Sequence, residues 1–212
     1  MNFRKVLVLS PHTDDAELGA GGLIYKLLKD GAQIYWVVFS TAEESLPTNM
    51  PKNTLEMEFR NVLKDYNLSE SSFKIFNYPV RKLIDYRQEI LEFLVKLKVD
   101  FSPDLVIGPS LNDYHQDHQI IANEMVRAYK TFSSILCYEL PWNHLEFKST
   151  FFVNLTSEEI NFKLQVLNNY KSQILLKRRY FQDDFILALA RAKGSQISVD
   201  FAETFDVVRL KY

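Results

Sequence analysis

Two short polar segments contain the residues whose types and spacing could support catalysis. Segment 11–17 reads Pro-His-Thr-Asp-Asp-Ala-Glu, and segment 112–118 reads Asn-Asp-Tyr-His-Gln-Asp-His. Together they contain three of the four histidines of the chain and four of its aspartates. Imidazole and carboxylate groups are common zinc ligands, and they also act as general acids and bases. These residues therefore indicate hydrolysis assisted by a metal ion.

The combination predicts a catalytic metal site. A catalytic zinc ion usually has three protein ligands and one open position for water. His12, Asp15 and His118 would supply two imidazoles and a carboxylate, which predicts one zinc ion per chain. Water bound there becomes a source of hydroxide near neutral pH. Asp14 is then expected to accept the proton of that water as general base.

His115 is expected to act on the substrate. It precedes His118 by three residues, so that both side chains would lie on one side of a helix. A protonated His115 could stabilise the oxyanion that forms when water attacks a carbonyl group. Asp117 or Asp113 could orient the ring of His115 and keep it charged.

Each segment also has a purely structural interpretation. Thr13 or Asp14 could be the N-cap of a helix, whose dipole would favour the negative charges of Asp15 and Glu17. Segment 115–118 could likewise be a capped, solvated helix start. The metal site is the better interpretation because both segments follow short apolar runs typical of buried strands.

The two segments must be positioned by the elements that precede and follow them. Apolar runs predict strands at 6–9, 33–39, 73–76, 105–107, 135–138 and 151–153. Helical patterns cover 16–29, 53–66, 83–97, 117–130, 157–176 and 180–192, and 197–210 reads as extended. This alternation predicts a doubly wound, mostly parallel α/β sheet, in one domain over 1–212. Ligands bind at the carboxyl ends of the strands in such sheets.

The glycines after the first segment indicate packing rather than nucleotide binding. Gly19, Gly21 and Gly22 do not follow the order of a dinucleotide fingerprint, since His and Asp residues occupy the tight turn. They are expected to let the first helix approach the sheet closely.

The composition of the chain limits the classes of protein to which it can belong. The chain has 212 residues, 47% of them hydrophobic, and a net charge of -2. No dense basic cluster suggests nucleic-acid binding, and a solvated helix end explains the basic run 177–179. No apolar run approaches the ~20 residues of a membrane span. Cys137 is the single cysteine, so no intrachain disulfide can form and a cytoplasmic location is expected.

The chain resembles the PIG-L/LmbE-like deacetylases. The resemblance rests on segments 11–17 and 113–118 and on the glycine-rich 19–22, with weaker support from 102–106, 170–173 and 201–205. It implies a Rossmann-like, three-layer α/β fold. It also implies zinc-dependent removal of an acetyl group from an N-acetylated amino sugar or its conjugate, a small-molecule substrate.

The resemblance also assigns roles to individual positions. The matching residues are His12, Asp15 and His118 as metal ligands, Asp14 as general base, His115 as stabiliser of the tetrahedral intermediate and Asp117 as its orienting partner. Either Asp14 or His115 could protonate the leaving amine. Thr13 and Gln116 stand where the family commonly has proline. Arg60 matches the arginine of a family Arg-x-x-Glu pattern that contacts substrate, but Leu63 replaces the acid.

Substrate contacts are expected from the loops 40–52 and 142–148. Trp142 and Tyr114 could stack on a sugar face or serve packing, and Glu43 could bind hydroxyls or be a solvated charge. Two alternatives to deacetylation stay open. One is a metal-dependent hydrolase of another amide or of a phosphoester, and the other is a non-catalytic sugar-binding domain. The extended 197–210 could pair within the sheet or with another subunit, which leaves a homo-oligomer open.

Overall fold

The computed structural model describes residues 3–211 and contains a seven-stranded sheet between two layers of helices. The strands are β1 Lys5–His12, β2 Gln33–Ser40, β3 Phe73–Ile75, β4 Leu105–Pro109, β5 Ser134–Tyr138, β6 Phe151–Leu155 and β7 Phe201–Arg209. The helices are α1 Asp15–Lys29, α2 Thr54–Asp65, α3 Arg87–Asp100, α4 Gln116–Tyr129, α5 Ser157–Leu167, α6 Lys171–Leu175 and α7 Asp183–Ser195. This architecture confirms the predicted three-layer α/β fold class.

The sheet order is β3-β2-β1-β4-β5-β7-β6. The first five strands are parallel, and β7 is antiparallel to both β5 and β6. β1 and β4 are neighbours, and the helices that follow them, α1 and α4, pack on opposite faces of the sheet. This is the topological switch point, where a crevice forms at the carboxyl ends of the two strands.

The central strand shows why the sheet is covered on both faces. Val6 and Val8 belong to the core beneath α1, whereas Leu7 and Leu9 belong to the core beneath α3 and α4. All four side chains are fully buried. Successive side chains of a strand point to opposite faces, so a continuous apolar run requires helices on both sides.

Some predicted helices have different bounds in the structure. The helix predicted at 157–176 is interrupted between α5 and α6, because the side chains of Asn168 and Asn169 donate to the last carbonyl groups of α5. The chain then turns so that Tyr170 is fully buried. Similarly, 83–97 begins with a separate 3₁₀ turn and 180–192 becomes helical only at Asp183. Only Phe201–Arg209 of the predicted extended stretch is a strand.

Two glycines of α1 allow the helix to lie directly on the sheet. A Cβ atom at Gly19 would lie 2.6 Å from the Tyr138 ring, and one at Gly22 would lie 2.5 Å from Leu155. Both distances are shorter than non-bonded atoms tolerate. The expectation of close helix–sheet packing is confirmed for Gly19 and Gly22, whereas Gly21 faces the side chains of Lys163 and Tyr66.

Gly19→Ala is expected to lower the free energy of unfolding by about 1–3 kcal/mol, because the added methyl group overpacks the contact with Tyr138. Urea denaturation measures the change. Gly21→Ala is the comparison on the same helix, since its Cβ would lie 3.2 Å from Lys163 Cγ and 3.3 Å from the Tyr66 hydroxyl, which are looser contacts than the one at Gly19. Equal unfolding midpoints for the two variants would contradict this account of the packing.

None of the helices within residues 3–211 combines the length and apolar character needed to cross a membrane.

Candidate active site

The candidate site lies at the switch point. His12 is the last residue of β1, and Asp14 and Asp15 follow in the turn that begins α1. The loop after β4 brings Asp113 to the same crevice, and α4 begins there with His118 in its first turn. The predicted convergence of the two segments is therefore observed.

Three side-chain atoms of this site form a nearly equilateral triangle. His12 Nδ1 and His118 Nε2 each lie 3.2 Å from Asp15 Oδ2, and the two nitrogens are 3.2 Å apart. Tetrahedral ligands at about 2.0–2.1 Å from a zinc ion stand roughly 3.3 Å apart. The donor set and its spacing thus fit a metal ion. Ring nitrogens of His12, His115 and His118 also lie within 4.8 Å of one another, but Asp15 completes the tighter set.

Buried carboxylates hold the other nitrogen of each of these two histidines. Asp117 Oδ2 lies 2.8 Å from His12 Nε2, and Asp113 Oδ2 lies 2.7 Å from His118 Nδ1. Such outer partners orient the ring and select the tautomer of a metal-binding histidine. They leave His12 Nδ1 and His118 Nε2 directed at Asp15.

The partner of Asp117 differs from the one predicted. Its carboxylate does not orient His115. It accepts hydrogen bonds from the backbone N–H groups of Arg81 and Leu83 and pairs with His12. These three partners compensate the burial of the charge. Only the backbone N–H of Asp117 contacts the ring of His115, donating to its Nδ1 at 3.2 Å.

The surroundings of His115 favour the neutral form of its ring. Its Nδ1 accepts a hydrogen bond as the N-cap of α4, so the proton of the ring lies on Nε2. Burial lowers the pKa of His115 to about 4, and the positive charges of His118 and His12 act in the same direction. These contacts favour a neutral ring over the charged His115 that the sequence predicts. A neutral ring still offers the Nε2–H group as a donor.

The triangle of His12, Asp15 and His118 lies in surroundings that favour a positive charge. Burial acts to lower the pKa of His118, but the charges of Asp15 and Asp113 and its hydrogen bonds to them outweigh burial and raise it to about 10. Burial acts to raise the pKa of Asp15, yet His118 and His12 lower it. The site is thus built to stabilise a cation.

Asp14 has an unusual backbone conformation. It occupies the N-cap position of α1 with φ 87°, in the left-handed region, and its side chain makes no capping hydrogen bond among the described residues. Such a conformation costs about 1–3 kcal/mol in a residue other than glycine and concentrates at functional sites. Burial raises the pKa of Asp14 well above its ordinary value, and the negative charges of Asp15 and Glu17 raise it further. Capping of α1 therefore does not explain why an aspartate occupies position 14.

Residues 7–129 match the family described as PIG-L: GlcNAc-PI de-N-acetylase, and this range contains both segments of the site. The chain belongs to the PIG-L family. It is 28% identical over 176 residues to the uncharacterized deacetylase YaiS of Escherichia coli (strain K12), covering 81% of this chain and 93% of YaiS.

Solved structures share the fold of this PIG-L family member. The conserved protein TT1542 from Thermus thermophilus matches with a TM-score of 0.81 and 22% identity, covering 98% of this chain and 96% of that one. The N,N'-diacetylchitobiose deacetylase from Pyrococcus horikoshii matches with a TM-score of 0.76 and 21% identity, covering 98% of this chain and 84% of that one.

A cleft of about 310 Å³ opens in front of the triangle. Its lining residues are His12, Thr13, Asp14, Asp15, Ala42, Ser45, Leu55, Val80, His115, His118, Trp142, Asn143, Gln173, Arg178 and Tyr180. Of the four predicted substrate contacts, Trp142 lines the cleft. Its indole stacks on Tyr180, with the ring centroids 4.1 Å apart and the planes 13° apart.

The other three predicted substrate residues lie outside this cleft. Arg60 pairs with Glu56 at 2.9 Å, one turn earlier on α2, and with Glu70 at 3.3 Å, so its guanidinium is already occupied. Glu43 accepts a hydrogen bond from Asn77 at 3.0 Å. Tyr114 is 64% exposed on the neighbouring surface. The structure does not bring these side chains to the reacting groups.

Sequence reasoning missed Gln173, Arg178 and Tyr180. They reach the cleft because α6 and the 3₁₀ turn Arg179–Phe181 fold back over the carboxyl edge of the sheet. Segment 170–173 carried a weak family signal, but the prediction of one continuous helix and a solvated basic run concealed its position.

Asp117→Asn is expected to weaken zinc binding by about 10–100-fold, because it removes the charged partner that orients His12. Titration against a competing chelator measures the affinity. Asn keeps an acceptor for only one of the two backbone N–H groups of Arg81 and Leu83, so circular dichroism must first establish that the variant folds. Asp85→Asn, an exposed carboxylate in the nearby turn Leu83–Tyr86, is the matched control. Unchanged affinity in Asp117→Asn would contradict the orienting role.

Proposed function

We propose that this PIG-L family protein is a zinc-dependent N-deacetylase that removes the acetyl group from an N-acetylated amino sugar or its conjugate. The observation that carries the proposal is the triangle of His12, Asp15 and His118 with Asp14 beside it in one cleft. The substrate class, an N-acetylated amino sugar, is proposed by analogy with the family description, GlcNAc-PI de-N-acetylase, and with the N,N'-diacetylchitobiose deacetylase from Pyrococcus horikoshii. The protein is proposed to act in the cytoplasm.

Each group in the cleft has its own role in the proposed reaction. His12, Asp15 and His118 would hold a zinc ion, which would supply a Lewis acid that lowers the pKa of bound water towards neutrality. Asp14 accepts the proton of the attacking water, whose oxygen bonds to the amide carbon. The Nε2–H of neutral His115 donates to the oxyanion that develops on the carbonyl oxygen.

The leaving amine needs a proton before the carbon–nitrogen bond breaks. Since His115 is neutral with its single ring proton on Nε2, the proton held by Asp14 is the one available for transfer. Asp14 therefore acts first as base and then as acid, and its raised pKa suits the second task. The products are acetate and the free amine.

The alternatives from the sequence have less support. Phosphoesterases often use two metal ions, whereas this cleft offers one tight set of ligands among residues 3–211. A purely structural zinc site is normally closed by four protein ligands. The strained backbone of Asp14 beside an open cleft favours catalysis over sugar binding alone.

Acetate release tests the proposal. Protein freed of metal with chelator and reloaded with zinc is incubated with N-acetylglucosamine, its oligosaccharides and its phosphate esters, and acetate and free amine are both quantified. Equal amounts of acetate and amine, formed only after zinc is restored, are expected. Absence of release from every N-acetyl sugar, with zinc bound, would overturn the proposal.

A further inference from the structure

Arg178 is the single lysine or arginine among the described residues that line the catalytic cleft. It belongs to the basic run 177–179, whose other members Lys177 and Arg179 are exposed. Arg178 itself is half-buried and turned into the cleft. A cation in this position is not needed for any step assigned to Asp14, His115 or the metal ligands.

A chain of hydrogen bonds holds the guanidinium of Arg178 in place. Its Nε donates to Oε1 of the buried Gln173 at 2.9 Å, and Gln173 Nε2 donates to the Ser172 hydroxyl at 3.2 Å. The carboxylate of Glu58 accepts from both the backbone N–H and the hydroxyl of Ser172, at 2.7 and 2.6 Å. Gln173, Ser172 and Glu58 are all buried, so Arg178 is positioned before any ligand binds.

The outer edge of the guanidinium has no carboxylate partner within residues 3–211. Nε of Arg178 donates to Gln173 and the guanidinium also interacts with the Tyr180 side chain, but no acidic side chain among residues 3–211 forms an ion pair with its terminal nitrogens. By contrast, terminal nitrogens of Arg87 and Arg127 pair with Glu124. The terminal nitrogens of an arginine present parallel N–H groups that match the two oxygens of a carboxylate or phosphate. The guanidinium of Arg178 is therefore suited to binding an anion.

The surroundings of Arg178 place such an anion beside the reacting groups. Its Cζ lies over the Tyr180 ring, 5.9 Å from the centroid, and Tyr180 in turn stacks on Trp142. The two stacked rings form an aromatic wall of the cleft next to Arg178. Asp14 and Arg178 line the same cleft. One small molecule can therefore contact the wall, the catalytic groups and Arg178.

We propose that Arg178 binds a negatively charged substituent, a carboxylate or a phosphate, carried by the N-acyl sugar substrate. This inference rests on the proposed deacetylase function and narrows its substrates to anionic ones. Gln173 acts as a positioning residue for Arg178.

Matched substrates test the inference on the zinc-loaded enzyme. N-acetylglucosamine is the neutral probe, its 1-phosphate and 6-phosphate are the phosphate probes, and N-acetylmuramic acid is the carboxylate probe. The wild type is expected to show at least a tenfold higher kcat/KM for one of the anionic probes than for the neutral one. Arg178→Gln should reduce that ratio at least tenfold, mainly through KM, and Arg178→Lys should reduce it less.

Arg179→Gln is the matched control, because Arg179 is exposed and lies outside the cleft lining. It should leave the ratio unchanged. A wild-type enzyme with no preference for any anionic probe would overturn the inference. An equal loss of kcat/KM on neutral and anionic probes in Arg178→Gln, together with a shifted pH profile, would also overturn the inference. That result would mean that Arg178 acts on the ionisation of Asp14 rather than on the substrate.

Binding of glucosamine 6-phosphate and glucosamine 1-phosphate separates this inference from the proposed function. Neither compound has an acetyl group to lose, so calorimetry reports affinity without turnover. At least tenfold weaker binding of either to Arg178→Gln than to wild type supports the anion site, even if no N-acetyl sugar releases acetate. The opposite result is also informative. If the enzyme releases acetate from N-acetyl sugars but Arg178→Gln changes neither these affinities nor the ratio of kcat/KM values, the anion site is excluded and the deacetylase proposal stands.

Discussion

Asp14→Asn is expected to lower kcat for acetate release by about a hundredfold or more, while the protein retains its zinc. General acid–base catalysis by a positioned side chain contributes typically 10²–10⁴-fold, and an amide cannot accept the proton of the attacking water. The substitution is conservative in shape. Asparagine is also one of the few residues that tolerate the left-handed backbone at this position, φ 87°, so the turn into α1 is preserved.

Two measurements are needed to interpret Asp14→Asn. Acetate release under saturating substrate gives kcat, and elemental analysis gives zinc per chain. Asp30→Asn, an exposed carboxylate at the other end of α1, is the matched control and should leave both values unchanged. Full activity in Asp14→Asn would remove the base assignment, whereas lost zinc would show that Asp14 is a ligand.

Asp15→Ala is expected to abolish stoichiometric zinc binding and, with it, acetate release. Asp15 Oδ2 is the one anionic atom of the triangle, 3.2 Å from both His12 Nδ1 and His118 Nε2. Removing it leaves two ligands, whereas catalytic zinc sites normally have three from the protein. The loss of affinity should exceed the 10–100-fold that removal of an outer partner costs.

The neighbouring carboxylate provides the control for this experiment. Asp14→Asn should keep zinc and lose rate, while Asp15→Ala should lose both, although the two residues are adjacent in the chain. Asp15→Asn is a second variant that retains an acceptor for the His12 backbone N–H. Circular dichroism establishes that the variants fold. One zinc ion per chain in folded Asp15→Ala would exclude Asp15 as a ligand.

The convergence of the two catalytic segments could be predicted because it depends on local pattern and one general property of parallel sheets. Val6 to Leu9 and Leu105 to Ile107 are apolar runs that only a strand covered on both faces explains. The carboxyl ends of parallel strands lie on one edge, so residues after each strand meet there. The pattern alone therefore placed His12, Asp15 and His118 near one another.

The partners within the site could not be predicted from spacing. Asp117 lies two residues from His115 but pairs with His12, which is 105 positions away. Sequence separation favoured the near neighbour, whereas the backbone N–H groups of residues 81 and 83 draw the buried carboxylate to the other side. The preference of His115 for the neutral form follows from the same arrangement, because only a backbone N–H faces its Nδ1.

The residues that shape the cleft also depended on the tertiary structure. Arg60 pairs with Glu56 and Glu70 outside the cleft, while Arg178 enters the cleft because the chain turns at residues 168–170. Local sequence therefore determined the strands, the helix starts at the two site segments and the ligand types of this PIG-L family protein. The tertiary structure decided which buried charges pair and which cation faces the cleft, because burial penalises every unpaired charge and only packing of distant segments determines the partners within reach.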